Sequence, residues 1–181
     1  MTTDTRITIS PFTADELAAQ ARALGALLHA CVHDGASIGF VRPFTMDDGE
    51  AFWRDAVLPA VRNGTRVLLV ARGDGAGGRL VGTVQLDYDT MPNQVHRAEV
   101  RKLLVHPHAR RRGVARTLMD EVERLARQLG RSLLTLDTRT GDTAERLYAS
   151  LGYETAGVIP GYARDPDGDR LDATTIMYKT V

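Results

Sequence analysis

The stretch Ala98–Leu118, AEVRKLLVHPHARRRGVARTL, constrains this chain more than any other. Glu99 to Val105 is written as an apolar strand. His106-Pro107-His108 breaks it, because Pro107 removes a backbone donor and disfavours the α region for the residue before it. The chain restarts as a helix whose first turn is Arg110-Arg111-Arg112-Gly113-Val114-Ala115. A strand that feeds a basic, glycine-containing turn opening a helix aims several backbone N–H groups at one anion, and the helix dipole adds positive charge there. Gly113 lets the backbone approach a phosphate closely, Ala115 keeps the next turn small, and the arginines match phosphate oxygens. The stretch reads as a pyrophosphate cradle.

Around it the pattern alternates strands and helices. Arg6–Ser10 alternates as a first strand. Thr13 and Glu16 have capping-box spacing, with Phe12 placed to staple onto Leu17. Leu17, Ala21, Leu24, Leu28 and Cys31 form the buried stripe of a first helix, and His33–Phe40 reads as a loop. A second helix starts at Thr45, with Asp48 three residues on, and runs to Asn63-Gly64, kinked at Pro59. Arg66–Ala71 and Leu80–Leu86 are strands joined through Gly73–Gly78. That connector spells G-x-G-x-x-G, but a strand follows it where a dinucleotide site needs a helix, so it predicts a hairpin. Val114, Leu118, Val122, Leu125 and Leu129 continue the helix after the cradle, closed by Gly130. Ser132–Asp137 reads as a central strand, with the unit Val100–Leu136 parallel and right-handed. A short helix follows, with Asp142 and Glu145 at capping-box spacing, ending at Leu151-Gly152. Strands near Glu154–Val158 and Ala173–Lys179 finish the chain around a turn at Pro166-Asp167-Gly168.

The pattern Arg110-x-x-Gly113-x-Ala115 after such a strand resembles the acyl-CoA motif of the GNAT superfamily of N-acetyltransferases. Ala144–Tyr153, AERLYASLGY, is similar to that superfamily's second signature, a helix ending in Gly-aromatic. The resemblance covers about residues 5 to 180. The runs His96–Val100 and Ile159–Ala163 are most similar to the tabtoxin resistance protein group. The fold it implies is α/β: a mixed central sheet of about seven strands, mostly antiparallel with one splayed parallel pair, flanked by about four helices. The whole chain, 1–181, is then one acetyltransferase domain. In the superfamily the pantetheine arm of acetyl-CoA fills the splay. The resemblance places backbone groups at Leu103, Leu104 and Val105 along it, and the N–H groups of Arg110, Arg111, Arg112, Gly113, Val114, Ala115 and Arg116 on the pyrophosphate.

Acetyl transfer from a thioester to an amine needs proton removal from the nucleophile, stabilisation of an oxyanion and care of the thiolate leaving group. Tyr148 stands where the superfamily places a thiol-facing tyrosine. Its reference pKa above that of a thiol suggests a general acid, although Leu147 and Leu151 also suit it to a core. Glu99 and Asp137 lie on the two strands expected to splay; the tabtoxin resistance group assigns the matching carboxylates to deprotonation of the acceptor through water. Glu99 also reads as a surface charge, and Asp137 as a structural acceptor at the end of an apolar strand. Asp34, Ser37, Phe40, Trp53 and Gln85 are the candidates for the acceptor pocket, on the loop, second helix and strand that should border it. Together these point to a small polar amine, amino-acid-like or antibiotic, acetylated by direct attack on acetyl-CoA. Protein N-termini as acceptors, or a sensor that only binds acyl-CoA, remain open.

Bulk properties narrow the classes. The formal net charge is +0, so no global field favours nucleic acid or an anionic membrane, and the arginine cluster is local. No apolar run reaches the ~20 residues that span a bilayer. The start, Met1–Arg6, lacks a signal-peptide layout, and Cys31 stands alone, so a cytoplasmic protein without an internal disulfide framework is expected, a monomer or homodimer. His106-x-His108 supplies no third ligand, and Asp165-x-Asp167-Gly168-Asp169 places its glycine too early for a calcium loop, so no metal is expected.

Overall fold

A computed structural model describes residues 7–73 and 78–181. Strands β1 (Thr8–Pro11), β2 (Arg66–Arg72), β3 (Leu80–Asp87), β4 (Arg97–Val105), β5 (Leu133–Arg139), β6 (Glu154–Arg164) and β7 (Leu171–Thr180) form one seven-stranded sheet in the order β1-β2-β3-β4-β5-β7-β6. Every neighbouring pair is antiparallel except β4–β5. This is the mixed architecture that the sequence implies. The G-x-G-x-x-G connector lies partly outside the described residues, but the strands it joins pair antiparallel and Gly73 N–H donates to Arg79 O at 2.9 Å. Arg6, assigned to the first strand, also lies outside them.

The helices cover the two faces. Helix α1 (Ala14–His33) opens with the expected capping box: Thr13 Oγ1 accepts from Glu16 N–H, and the Glu16 carboxylate accepts from Thr13 N–H. Helix α2 (Met46–Ala51) opens with a second box between Thr45 and Asp48. The disturbance expected at Pro59 takes the form of a π turn, Phe52–Val57, in which Leu58 N–H donates to Trp53 O. Helix α3 (Leu58–Arg62) follows, with Pro59 in its first turn, where a missing N–H costs nothing. These elements bury Leu17, Leu24, Leu28, Trp53 and Val57 against Leu68, Val70 and Leu104 on one face. Helix α4 (Val114–Gln128) and helix α5 (Thr143–Ser150) bury Val114, Leu118, Val122 and Tyr148 against Val84, Val100, Leu134 and Leu136 on the other. At α5 the capping differs from the spacing: Asp142 accepts from Thr143 N–H at 2.6 Å, while Glu145 reaches Gly141 N–H and Thr175 Oγ1.

Helices α1 and α2 cross at backbone distance. A Cβ on Gly25 would stand 2.6 Å from Glu50 N, and one on Gly49 would stand 2.7 Å from Gly25 O. Gly25→Ala therefore destabilises the fold by about 1–3 kcal/mol through overpacking, although alanine is the better helix former by about 1 kcal/mol. Urea unfolding of the two proteins checks this; an unchanged midpoint removes the tight crossing.

Candidate active site

The site begins where the sheet comes apart. β4 and β5 pair only through Arg97–Leu133, Ala98–Leu134 and Glu99–Thr135, yet β4 runs on to Val105 and β5 to Arg139. Beyond Glu99 each strand keeps its outer partner and loses its inner one. His106 N–H donates to Val81 O at 2.8 Å, so Val105 and Gly82 are a non-hydrogen-bonded pair and the Val105 peptide groups turn into the opening. The alternation then directs the Leu104 groups to Thr83 instead. Of the strand residues expected along the pantetheine arm, Leu104 thus faces the wrong edge.

At the far end of the opening stands the cradle. Arg111 and Gly113 both have positive φ, 60° and 79°, which folds the turn so that consecutive amides converge. Among the described residues no acceptor takes the N–H groups of Arg111 through Arg116, and Gly113 provides no side-chain cap. Orphan donors at a helix N-terminus need an acceptor from outside. Nothing lies within 4 Å of a Cβ built on Gly113, so the cradle is open in front of it. Arg111 and Arg112 are exposed, and Arg116 donates to Ser150 Oγ at 2.8 Å. Arg110 does something else. Its guanidinium pairs with Asp34 and donates to Val105 O at 3.3 Å, which places it across the mouth of the opening. Asp34, assigned to the acceptor, is engaged in that same pair.

The other end carries the carboxylates. Registers Asp87–Glu99 and Glu99–Thr135, with the period-2 alternation, put Asp87, Glu99 and Asp137 on the α1 face of the sheet. Asp87 is buried between Arg66 at 2.5 Å and Arg101 at 3.1 Å. Glu99 is half-exposed and 3.5 Å from Arg101. Asp137 lies mid-strand, exposed, with no hydrogen bond or ion pair among the described residues. The structural-acceptor reading assumed a buried carboxylate. It loses its ground here.

Tyr148 is 7 % exposed and packs against Tyr153, with ring centroids 5.9 Å apart. Its hydroxyl has no hydrogen-bond partner among the described residues. Burial, and then the charges of Asp137 and Asp142, hold that hydroxyl well above the usual tyrosine range. It stays protonated at any working pH. Full transfer to a thiolate is uphill for such an acid, so a hydrogen bond to charge developing on sulfur is the contribution it can make.

Trp53 and Gln85 are sealed, at 0 % and 1 % exposure, behind the open face rather than in it. Among the described residues Trp53 Nε1 and Gln85 Nε2 are buried donors without an acceptor, while Gln85 Oε1 accepts from Arg66 at 3.3 Å. Phe40 packs with Phe44 and Phe52, and Ser37 is half-buried in the same loop.

Sequence reasoning missed Lys102. β4 carries an extra residue there: Arg101 pairs with Gln85 and Leu104 with Thr83, and Lys102 has φ 51°. The bulge sends Lys102 to the α1 face beside Arg101. Its Nζ donates to Ile38 O at 2.7 Å and sits over the rings of Phe40 and Phe52.

The acetyltransferase (GNAT) family model matches residues 39–153, more than half of the chain and the whole of the opening, cradle and α5. The chain belongs to the GNAT family. A mycothiol acetyltransferase from Saccharomonospora viridis is 40% identical over 75 residues, 41% of this chain and 24% of that protein. An uncharacterised N-acetyltransferase from the hisH–hisA intergenic region of Azospirillum brasilense is 35% identical over 111 residues, 60% of this chain and 61% of that protein. The chain thus spans less than two thirds of either. Among solved structures, the Salmonella typhimurium protein yncA with its cofactor acetyl-CoA superposes with TM-score 0.75 at 20% identity, covering 97% of this chain and 94% of that one. A ribosomal-protein-alanine N-acetyltransferase from Brucella melitensis gives 0.75 at 22%, covering 96% and 99%. At those identities both support the fold of this GNAT chain. Among the described residues no helix is long and apolar enough to cross a membrane.

Proposed function

We propose that this GNAT protein, as one domain over 1–181, transfers the acetyl group of acetyl-CoA to the amine of a small polar acceptor by direct attack, without an acetyl-enzyme. One observation carries the reading: the opening between β4 and β5 has backbone donors unpaired among the described residues at one end and two carboxylates at the other. The residues present fit the co-substrate. The orphan amides from Arg111 to Arg116 hold the pyrophosphate, the Val105 peptide groups line the arm, and the thioester supplies the activated acyl group. Glu99 and Asp137 then take the amine proton through water, and Tyr148 donates toward the sulfur. The resemblance of His96–Val100 and Ile159–Ala163 to the tabtoxin resistance group supports an antibiotic or amino-acid-like acceptor. A cytoplasmic location and a monomer or homodimer suit the composition.

Acetyl-CoA raises the melting temperature of the protein by mass action on the folded state. In Gly113→Asp that rise disappears, since a carboxylate enters the cradle and repels phosphate. The side chain meets no neighbour, so the variant folds, at a cost of about 1–2 kcal/mol for the left-handed backbone. An undiminished shift in the folded variant removes the cradle from the proposal. Binding without CoA release across an amine panel leaves a sensor, and release only with peptides moves the acceptor to protein N-termini.

A further inference from the structure

Among the described residues Lys102 is a charge without a counter-charge. An ammonium has three N–H donors, and only one of these, to Ile38 O, finds a protein acceptor among the described residues. The side chain is half-buried by Phe40, Phe52 and the 34–40 loop, with its ammonium over two ring faces. No carboxylate lies within ion-pair distance of it among the described residues. The neighbouring cations Arg66 and Arg101 are committed to Asp87, and Arg101 also to Glu99. Burial, followed by the charge of Arg101, lowers the Lys102 pKa, with Asp137 and Glu99 opposing. A partly desolvated cation of this kind is unfavourable until an anion joins it. It is also placed at a cost, because a lysine with φ 51° occupies the left-handed region.

We infer that Lys102 is a specificity-determining residue that binds an oxyanion of the acceptor, so that the preferred substrates are amines carrying a carboxylate. The amine end of such a molecule faces Glu99 and Asp137, and its carboxylate takes the two spare N–H donors of Lys102 on the same face of the sheet. This rests on the acetyl-transfer reading above. It goes beyond it by fixing the charge type of the acceptor and the residue that reads it.

The test compares matched acceptors. CoA release is measured with L-amino acids and ω-amino acids, each beside its own carboxamide, in the wild type, Lys102→Met and Lys102→Arg. Methionine keeps the stem against the rings but gives up the bond to Ile38 O, so the carboxamide series controls for any loosening of the loop. The wild type should favour acids over carboxamides. In Lys102→Met, KM for the acid should rise about 10- to 100-fold, the effect of losing a hydrogen bond to a charged group, with kcat and the carboxamide little changed. Lys102→Arg should restore part of the preference. An equal loss for acid and carboxamide makes Lys102 a loop anchor and overturns the inference, as does a wild type indifferent to the carboxylate. If none of these amines releases CoA, calorimetry with acetyl-CoA separates the failures. Retained binding sinks the acceptor assignment alone, whereas lost binding sinks the transfer reading with it.

Discussion

Alanine at Asp137 lowers kcat by about 10²–10⁴-fold while acetyl-CoA still binds, and alanine at Glu99 does the same through the same proton. Both carboxylates lie on the open α1 face, at the point where β4 and β5 part. An amine arriving as an ammonium must shed a proton before it can attack, and the base has to sit within reach, directly or through one water. Asp137 is exposed and has no hydrogen-bond or ion-pair partner among the described residues, which leaves it free for that role. Glu99 shares Arg101 with Asp87, so part of its charge is already spoken for. The larger loss is therefore expected at Asp137. On the proposal that the two act on one proton, the double variant should lose less than the product of the single effects. The measurement is steady-state CoA release beside calorimetric affinity for acetyl-CoA. Full activity in Asp137→Asn would reduce that residue to a bystander on the sheet.

Tyr148→Phe lowers kcat by roughly tenfold to a thousandfold with little change in acetyl-CoA affinity, the range for one positioned donor. The ring is 7 % exposed in the core formed by α4, α5 and the sheet, and phenylalanine fills the same space at small cost. Only the hydroxyl goes. A donor that acts as charge gathers on sulfur contributes to the transition state and not to the ground state, so its loss appears in kcat. The pH profile gives a second check. A hydroxyl held above the usual tyrosine range by burial stays protonated, so no alkaline limb belonging to Tyr148 enters the wild-type profile below its ordinary value of about 10. An intact kcat in the phenylalanine variant assigns Tyr148 to packing alone.

Much of this was legible in the residues. The capping pairs Thr13–Glu16 and Thr45–Asp48, the stripe from Leu17 to Cys31 and the glycine closing α4 are local signals, and local signals survive folding. Asp142 and Glu145 show the limit of spacing: Thr175 and Gly141 draw the glutamate away from the reciprocal bond. Trp53 and Gln85 read as pocket residues from the elements they sit on. Their side chains point into a core that only tertiary packing defines, and there they are enclosed. At Asp137 the structural-acceptor reading errs in the opposite sense. An apolar strand implied burial, but the splay exposes the α1 face there, and strand patterns carry no trace of a partner that fails to pair. Lys102 did leave a mark. In Glu99-Val100-Arg101-Lys102-Leu103-Leu104 the alternation slips by one at two adjacent charges, which is how an added residue in a strand is written.

The buried thiol of Cys31 gives the protein a reporter of its own motion. It is 2 % exposed and donates to Val105 O at 3.5 Å, one of the peptide groups turned into the opening. Burial pushes it up to about 11, against the opposing pull of Arg110. Alkylating reagents consume the thiolate, which an unfolded chain with a thiol near 8.5 supplies at pH 8 and this packed one does not. A molecule is therefore labelled only while an opening, local or global, exposes Cys31. Since the chain has a single cysteine, each adduct counts one such event. The labelling rate, followed by mass, reads the free energy of the opening that exposes this end of the first helix, where Asp34 pairs with Arg110.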